Sequence, residues 1–423
     1  MNKNDKIRYS LKLTQNRRKN QQCKVFTVKV DKSHLNFTSI RHLNRLFLES
    51  KWFYNFILSK NDIFEQSYKI NKITIKVNCA FYIRTLDFLS AQMRQAILDK
   101  MKDNIKSLST IKNKGLKVGK MKFKNESFSI PLKQYIKDNS GTYKIVDKNH
   151  IHIQKIKQNL KVSGLSQIPQ NSEIANANLI HKNGDYFIQI TTFQSKSEFI
   201  PNNSSIGIDF GISSQLTLSN GINIKYEIPI SDKIKCLSRK LSKQKQYSKN
   251  WYKTKTKLNK EYQHLTNIKQ DIKNKIVSYL KNNFQTICFQ DESLNFWKSK
   301  FGSKIQSTSL GGIIASLKQR VHTPIEIDRF YPSTKTCYVC KNKQQLSLNQ
   351  RIYICKNCNS IINRDYNSAL NIEFEGLKML NVPMVYREFT PEEIEPLLLK
   401  LNNIHYVKAS LINESGSFNI INI

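Results

Sequence analysis

Ile206-Gly207-Ile208-Asp209-Phe210-Gly211 sets a single carboxylate mid-strand, in an apolar run flanked by glycines. An unpaired carboxylate in such a strand is expensive and needs a cation, a hydrogen-bond network or a proton. Two more strand-like runs follow, Leu216-Thr217-Leu218 and Ile222 to Ile228, with Asn220-Gly221 between them as a tight hairpin signal. The spacing predicts a meander of up to three strands with Asp209 on the first. Downstream, 231–283 reads as Lys-rich helix with breaks around Ser248 and Asn250 and a seam of Leu258, Tyr262, Leu265, Ile272, Ile276 and Tyr279. Phe284 to Phe289 reads as a buried strand ending in Gln290-Asp291-Glu292. A helix around 310–320, a short helix after Asn363 and a short acidic helix opened by Thr390-Pro391-Glu392-Glu393 complete this half.

Upstream, Cys23 to Val30 alternates as a strand, and Ser39 opens a helical pattern through Leu43, Leu46, Phe47, Phe53 and Ile57. A second helix is expected over 89–105, with Leu89, Met93, Ile97, Met101 and Ile105 at every fourth position. From about 118 to 198 short alternating segments are punctuated by Gly141, Gly164 and Gly184, a β-rich module able to join the N-terminal strand across the helical insertion. Pro201 to Ser205 reads as a linker.

The chain has 423 residues, 69 Lys+Arg and 31 Asp+Glu, a net charge of +38. That length suggests two to four domains. With 39% hydrophobic residues it is too apolar for a disordered basic tail, and no uncharged apolar run reaches membrane-spanning length. The basic N-terminus lacks the apolar core of a signal peptide, so a cytoplasmic protein is expected, nucleoid-associated if bacterial. The largest polyanion inside a cell is nucleic acid. Lysine over-use from an AT-rich genome is the bland alternative, but it leaves the low Asp+Glu count unexplained.

Eight cysteines include two close pairs, Cys337/Cys340 and Cys355/Cys358, separated by 14 residues. Two-residue gaps turn both thiolates of a pair toward one ion, and two pairs close a tetrahedral, structural Zn²⁺ site. Arg351 to Ile354 reads as the return strand of a hairpin in the spacer.

Acidic residues are scarce, so Asp209, Glu292 and Asp365 stand out. Three converging carboxylates would repel one another unless divalent metal sat between them, and oxygen donors suit Mg²⁺ or Mn²⁺. Each also has an ordinary reading as a helix cap or a surface ion pair.

Taken together, Gly207-Ile208-Asp209-Phe210-Gly211, Glu292-Ser293-Leu294-Asn295, the cysteine pairs led by Pro332-Ser333-Thr334-Lys335-Thr336, and Asn363-Arg364-Asp365-Tyr366-Asn367-Ser368-Ala369-Leu370-Asn371-Ile372 resemble the TnpB family of transposon-associated RNA-guided nucleases. The resemblance implies a multidomain α/β protein. An RNase H-like RuvC nuclease domain would span 199–329 and 363–380, with an inserted four-cysteine zinc finger at 330–362. An N-terminal β-barrel wedge domain (1–38 and 118–198) would carry a helical recognition insertion (39–117), with a C-terminal tail at 381–423. It implies catalytic Asp209, Glu292 and Asp365 on Mg²⁺, Zn²⁺ on Cys337, Cys340, Cys355 and Cys358, and guide RNA and target DNA as partners, with no membrane and no small-molecule substrate. Three departures stand out: Asn363 where the family usually has an acid, Ser293 with an extra Asp291 in the second motif, and a tail beyond 375 that matches little. Rival readings are a nuclease-silent RNA-guided regulator, which would have lost a carboxylate, a DNA-strand transferase, and a plain zinc-ribbon DNA-binding protein.

Overall fold

A computed structural model describes residues 3–60, 62–77, 80–135, 140–195, 204–226, 228, 231–302, 305, 308–347, 349–380 and 404–408. The chain divides into two compact units, 1–197 and 198–423.

The first unit is built on a seven-stranded sheet and three helices. Helix α1 (Lys3–Lys19) precedes β1 (Gln21–Val30); α2 (Phe37–Leu58), the hairpin β2 (Lys72–Val77) and β3 (Ala80–Thr85), and α3 (Ala91–Asn113) follow. Then come β4 (Ser129–Leu132), β5 (Gln134–Tyr135), β6 (Ser140–Gly141), β7 (Tyr143–Ile145), β8 (His150–Ile153), β9 (Leu160–Ser163), β10 (Glu173–Lys182) and β11 (Asp185–Ser195). The sheet order is β4-β10-β11-β1-β9-β8-β7, so the N-terminal strand does join the β-rich segment across the helical insertion. The edge strands β4 and β7 flank the small β5–β6 pair, where the Thr142 N–H donates to Lys133 O (2.8 Å). Helices and sheet share one core: Leu43, Leu46, Phe53 and Met93 pack in the same cluster as Val28, Ile130, Ile151 and Ile188.

Several boundaries differ from expectation for local reasons. The first 20 residues are largely helix, whose many charges leave no apolar period to read. α2 begins before Ser39, because the Asn36 side chain accepts the Ser39 N–H (2.7 Å) and caps it. Ser90 caps α3 in the same manner, and that helix continues to Asn113 on a polar, exposed surface.

In the second unit, β12 (Ser205–Phe210), β13 (Leu216–Leu218) and β14 (Ile222–Tyr226) form the expected antiparallel meander, turned at Gly221 (φ 86°). After α4 (Asp232–Lys243) and α5 (Lys249–Asn283), β15 (Thr286–Gln290) lies parallel to β12. α6 (Leu294–Phe301), α7 (Leu310–Arg320) and β16 (Thr323–Ile327) follow, and β16 lies parallel to β15. The break between α4 and α5 falls at Ser248, whose hydroxyl caps α5, whereas Asn250 lies inside that helix.

The strands β17 (Ile352–Ile354) and β18 (Ile361–Asn363) lead into α8 (Arg364–Met379). The segment Arg351–Ile354 therefore pairs with residues after the second cysteine pair rather than within the spacer, because the turn at Cys355–Cys358 reverses the chain. α8 is long, not short. β19 (Ile404–Lys408) adds to β14, giving the order β16-β15-β12-β13-β14-β19. The helix expected from Thr390 lies outside the described residues, as do Pro201 to Asn203 of the expected linker.

Among the described residues no helix is long and apolar enough to cross a membrane.

Candidate carboxylate and cysteine sites

Strand alternation decides where Asp209 goes. Ile206, Ile208 and Phe210 enter the apolar core with Leu216, Ile276, Ile287 and Ile313. Ser205, Gly207 and Asp209 therefore face the other way, onto α8. Contacts along that face run in antiparallel order. The Ser205 hydroxyl donates to the Glu373 carboxylate, Gly207 lies under Ala369, and the Ser368 hydroxyl donates to Asp209 Oδ1 (2.9 Å). From Ser205 to Gly207 the strand advances roughly 6.6 Å while the helix contact moves back four residues, roughly 6 Å; from Gly207 to Asp209 the contact moves by one helical residue only.

Glycine makes this approach possible. A Cβ on Gly207 would lie 2.1 Å from Ala369 O and 2.7 Å from Glu373 N, and one on Gly376 would lie 2.4 Å from Cys288 Sγ. Both neighbours of Gly207 are backbone atoms that cannot turn aside. The two glycines, one on the sheet and one on the helix, let α8 lie close against β12 and β15.

The N-terminus of α8 is thereby brought to Asp209. Asn363 caps it, its Oδ1 accepting the N–H groups of Asp365 (3.0 Å) and Tyr366 (3.1 Å). Asparagine does this as well as an acid, so the departure at 363 keeps the cap. Asp365 pairs with Arg364 (3.1 Å) and Arg351 (3.6 Å). The Asp209 carboxyl is pushed well above its ordinary range, first by burial, then by the charge of Asp365, with Glu292 adding a smaller push; the Ser368 hydrogen bond and Arg364 oppose it. Glu292 is raised to about 7, chiefly by burial, then by Asp291, and is lowered by Arg329. Asp291 itself forms an ion pair with Arg329. The structure thus brings Asp209, Asp365 and Glu292 within electrostatic reach, while Asp291 is engaged elsewhere. Among the described residues the three carboxylates do not gather as tightly as the cysteines do. Their oxygen donors nonetheless fit a hard divalent cation.

A buried polar chain leads from this site to the cysteines. Ser368 Oγ lies 3.0 Å from Ser333 Oγ, Ser333 Oγ lies 2.9 Å from Gln290 Oε1, and Gln290 Nε2 reaches the carbonyls of Asp328, Arg329 and Tyr331. Asn371 Nδ2 donates to Ser333 O (3.0 Å) and Thr336 O (2.7 Å). Asn367 donates to Thr336 O (2.8 Å) and accepts the Tyr338 N–H (2.9 Å). Ser368, Asn367 and Asn371 are fully buried. They stood in the last motif without a role of their own; only their buried partners reveal one.

The thiol sulfurs of Cys337, Cys340, Cys355 and Cys358 lie within 4.8 Å of one another. Cys337 and Cys358 are 3.7 Å apart, and Cys340 and Cys355 are 3.5 Å apart. Tetrahedral Zn²⁺ with bonds of about 2.3 Å puts its sulfurs roughly 3.8 Å apart, so the cluster fits that ion. Backbone donation from Asn342 is the main cause that draws the Cys340 thiol down to about 6, toward the thiolate a metal requires.

Comparison with known proteins bears on both sites. Residues 315–372 match the family model described as "Cas12f1-like, TNB domain", and residues 189–292 match one described as "Probable transposase". A Streptomyces pristinaespiralis protein named "Putative RNA-guided DNA endonuclease" is 27% identical over 46% of this chain and 50% of its own length. The Escherichia coli (strain K12) "Putative RNA-guided DNA endonuclease InsQ" is 24% identical over 53% of this chain and 62% of its own length. The chain thus spans between half and two thirds of these curated relatives. A solved Cas12f1–sgRNA–target DNA complex contains a chain 15% identical, matching 84% of this chain and 99% of that one at a TM-score of 0.48.

Proposed function

We propose that this chain is a member of the TnpB family and acts as an RNA-guided DNA endonuclease whose cleavage site is Asp209, Glu292 and Asp365. The observation that carries the reading is the half-sequestered carboxyl of Asp209 on β12, facing the N-terminus of α8, with the charges of Asp365 and Glu292 within its reach. Burial and like charge hold it far above its ordinary range although Arg364 opposes them. A pocket so costly to the fold is accounted for if Mg²⁺ or Mn²⁺ completes it.

When bound, a pair of such ions supplies an activated water and a stabilised leaving oxygen for phosphodiester hydrolysis. The chain's own residues prepare for this. Ser368 fixes the Asp209 carboxylate by its hydroxyl. The Asn363 cap and the Arg351 and Arg364 side chains hold Asp365 at the helix N-terminus. Gly207 sets the depth at which helix and strand meet. The +38 chain would hold RNA and the guide–target duplex through their phosphates, leaving base pairing to read sequence.

The domain reading belongs to the same proposal. An antiparallel meander followed by two parallel strands on its β12 side, with α8 across it, supports an RNase H-like RuvC domain over 199–329 and 363–380. The β5–β6 pair joining both edges of the first sheet supports a closed wedge barrel over 1–38 and 118–198, carrying the recognition insertion at 39–117. The cysteine cluster supports a zinc finger at 330–362.

The test uses the purified full chain with its copurifying RNA, DNA matching that RNA, and added Mg²⁺ or Mn²⁺. Asp209→Ala is expected to lower cleavage on the order of 10⁴-fold while leaving RNA binding unchanged. Undiminished cleavage by that variant overturns the assignment.

A further inference from the structure

Neither site uses the junction between α4 and α5, yet three aromatic rings stand together there. Tyr247 and Trp251 have ring centroids 5.5 Å apart, Trp251 and Tyr252 lie 5.2 Å apart at 86°, and Tyr247 and Tyr252 lie 6.4 Å apart. Tyr247 is 72% and Tyr252 49% exposed. The backbone at Tyr247 is left-handed (φ 65°), a conformation that disfavours a bulky side chain. The Ser248 cap starts α5 in the next residue and holds that turn. Strained backbone of this kind clusters at ligand-contacting sites, and here it presents a large ring to solvent.

The surroundings restrict that ligand. From Lys233 to Lys260 the chain has eleven Lys and Arg residues and no Asp or Glu. Lys255 Nζ stands 4.6 Å from the Trp251 ring centroid. Rings interleaved with cations complement a partner that carries both flat π-faces and negative charge along a backbone. We propose that Tyr247, Trp251 and Tyr252 form a stacking platform for the bases of an unpaired nucleic-acid strand, with neighbouring lysines on its phosphates. A duplex keeps its bases stacked inside and does not offer these faces. Single-stranded RNA and DNA share the chemistry, so both are probed. The platform extends the nucleic-acid reading above but needs neither guide nor cleavage.

The test titrates the full-length protein, without added Mg²⁺, into 2-aminopurine-labelled 15-mers of oligo(dT), oligo(U) and a duplex. Stacking is expected to quench the single-strand fluorescence at saturation, and the tighter of the two strands identifies the source. Tyr247→Leu/Tyr252→Leu is expected to bind about tenfold more weakly or worse and to lose the quenching, with its salt dependence unchanged. Lys249→Gln/Lys253→Gln is expected to keep the quenching and to flatten the slope of log K against log salt by about 1.4. Tyr247→Phe restores wild-type behaviour at that position, and the melting temperature of each variant reports its fold. Unchanged affinity and quenching in the double leucine variant, or preferential binding of the duplex, overturns the platform. Quenching that persists in Asp209→Ala protein separates this proposal from the cleavage site.

Discussion

Glu49 in the first unit and Asp209 in the second are both carboxylates set among apolar neighbours, and their surroundings treat them in opposite ways. Glu49 is fully buried, yet every need is met: Arg45 donates to one oxygen (2.9 Å), and the Phe88 and Leu89 N–H groups donate to the other (2.9 Å each). Asp209 has the Ser368 hydroxyl and, against it, Asp365 and Glu292. The first arrangement ties α2 to the segment entering α3 and lowers the energy of the fold. The second raises it, and such a cost persists where something absent from the bare chain is to be bound. Glu49 is sealed from solvent and Asp209 only partly so, and the partners differ as well.

Three substitutions test that contrast, beginning with the largest effect. Glu49→Ala leaves two buried N–H groups and the Arg45 guanidinium without their acceptor, and is expected to cost about 3–5 kcal/mol in denaturant unfolding of the first unit. A loss below 1 kcal/mol would erase the distinction. Gly207→Ala forces α8 away from β12 and should destabilise the second unit by about 1–3 kcal/mol. It should also separate Asp365 from Asp209, lowering cleavage far more than RNA binding.

The smallest effect is a pH slope. Because the folded-state Glu292 carboxyl is raised from 4.5 to about 7, the folded protein keeps a proton that the unfolded chain releases. Without divalent metal, stability should therefore fall as pH rises from about 4.5 to about 7, and then level off. Asp209 contributes in the same sense. Glu292→Gln should flatten that fall in melting temperature; an unaltered profile would show that the site's charges are compensated after all.

The legible parts of the chain were those whose signals are local. Asp209 announced itself as an acid between glycines in an apolar run, Asn220-Gly221 marked its hairpin, and the cysteine spacing fixed a cluster that closes on itself. The unread parts depend on what lies opposite. Ser368, Asn367 and Asn371 have polar side chains on a helix face that is buried only because the loop 333–338 packs against it, so α8 looked shorter than it is. Ile352–Ile354 had a strand's composition, but its partner was decided by the turn through Cys355. In the hairpin at 72–85, Lys72 to Val77 does alternate and went unread, while β3 is exposed throughout and carries no alternation. Ser205 and Glu373 meet because α8 lies close against β12 at Gly207, a packing that neither segment encodes alone.

The strand at 404–408 has a consequence of its own. It supplies hydrogen-bonding partners along the outer side of β14, from Ile222 to Tyr226. A chain ending at residue 380 would leave that row of peptide groups bare, an open template onto which another copy's strand could stack. The strand at 404–408 covers that row and so removes an edge that would favour aggregation.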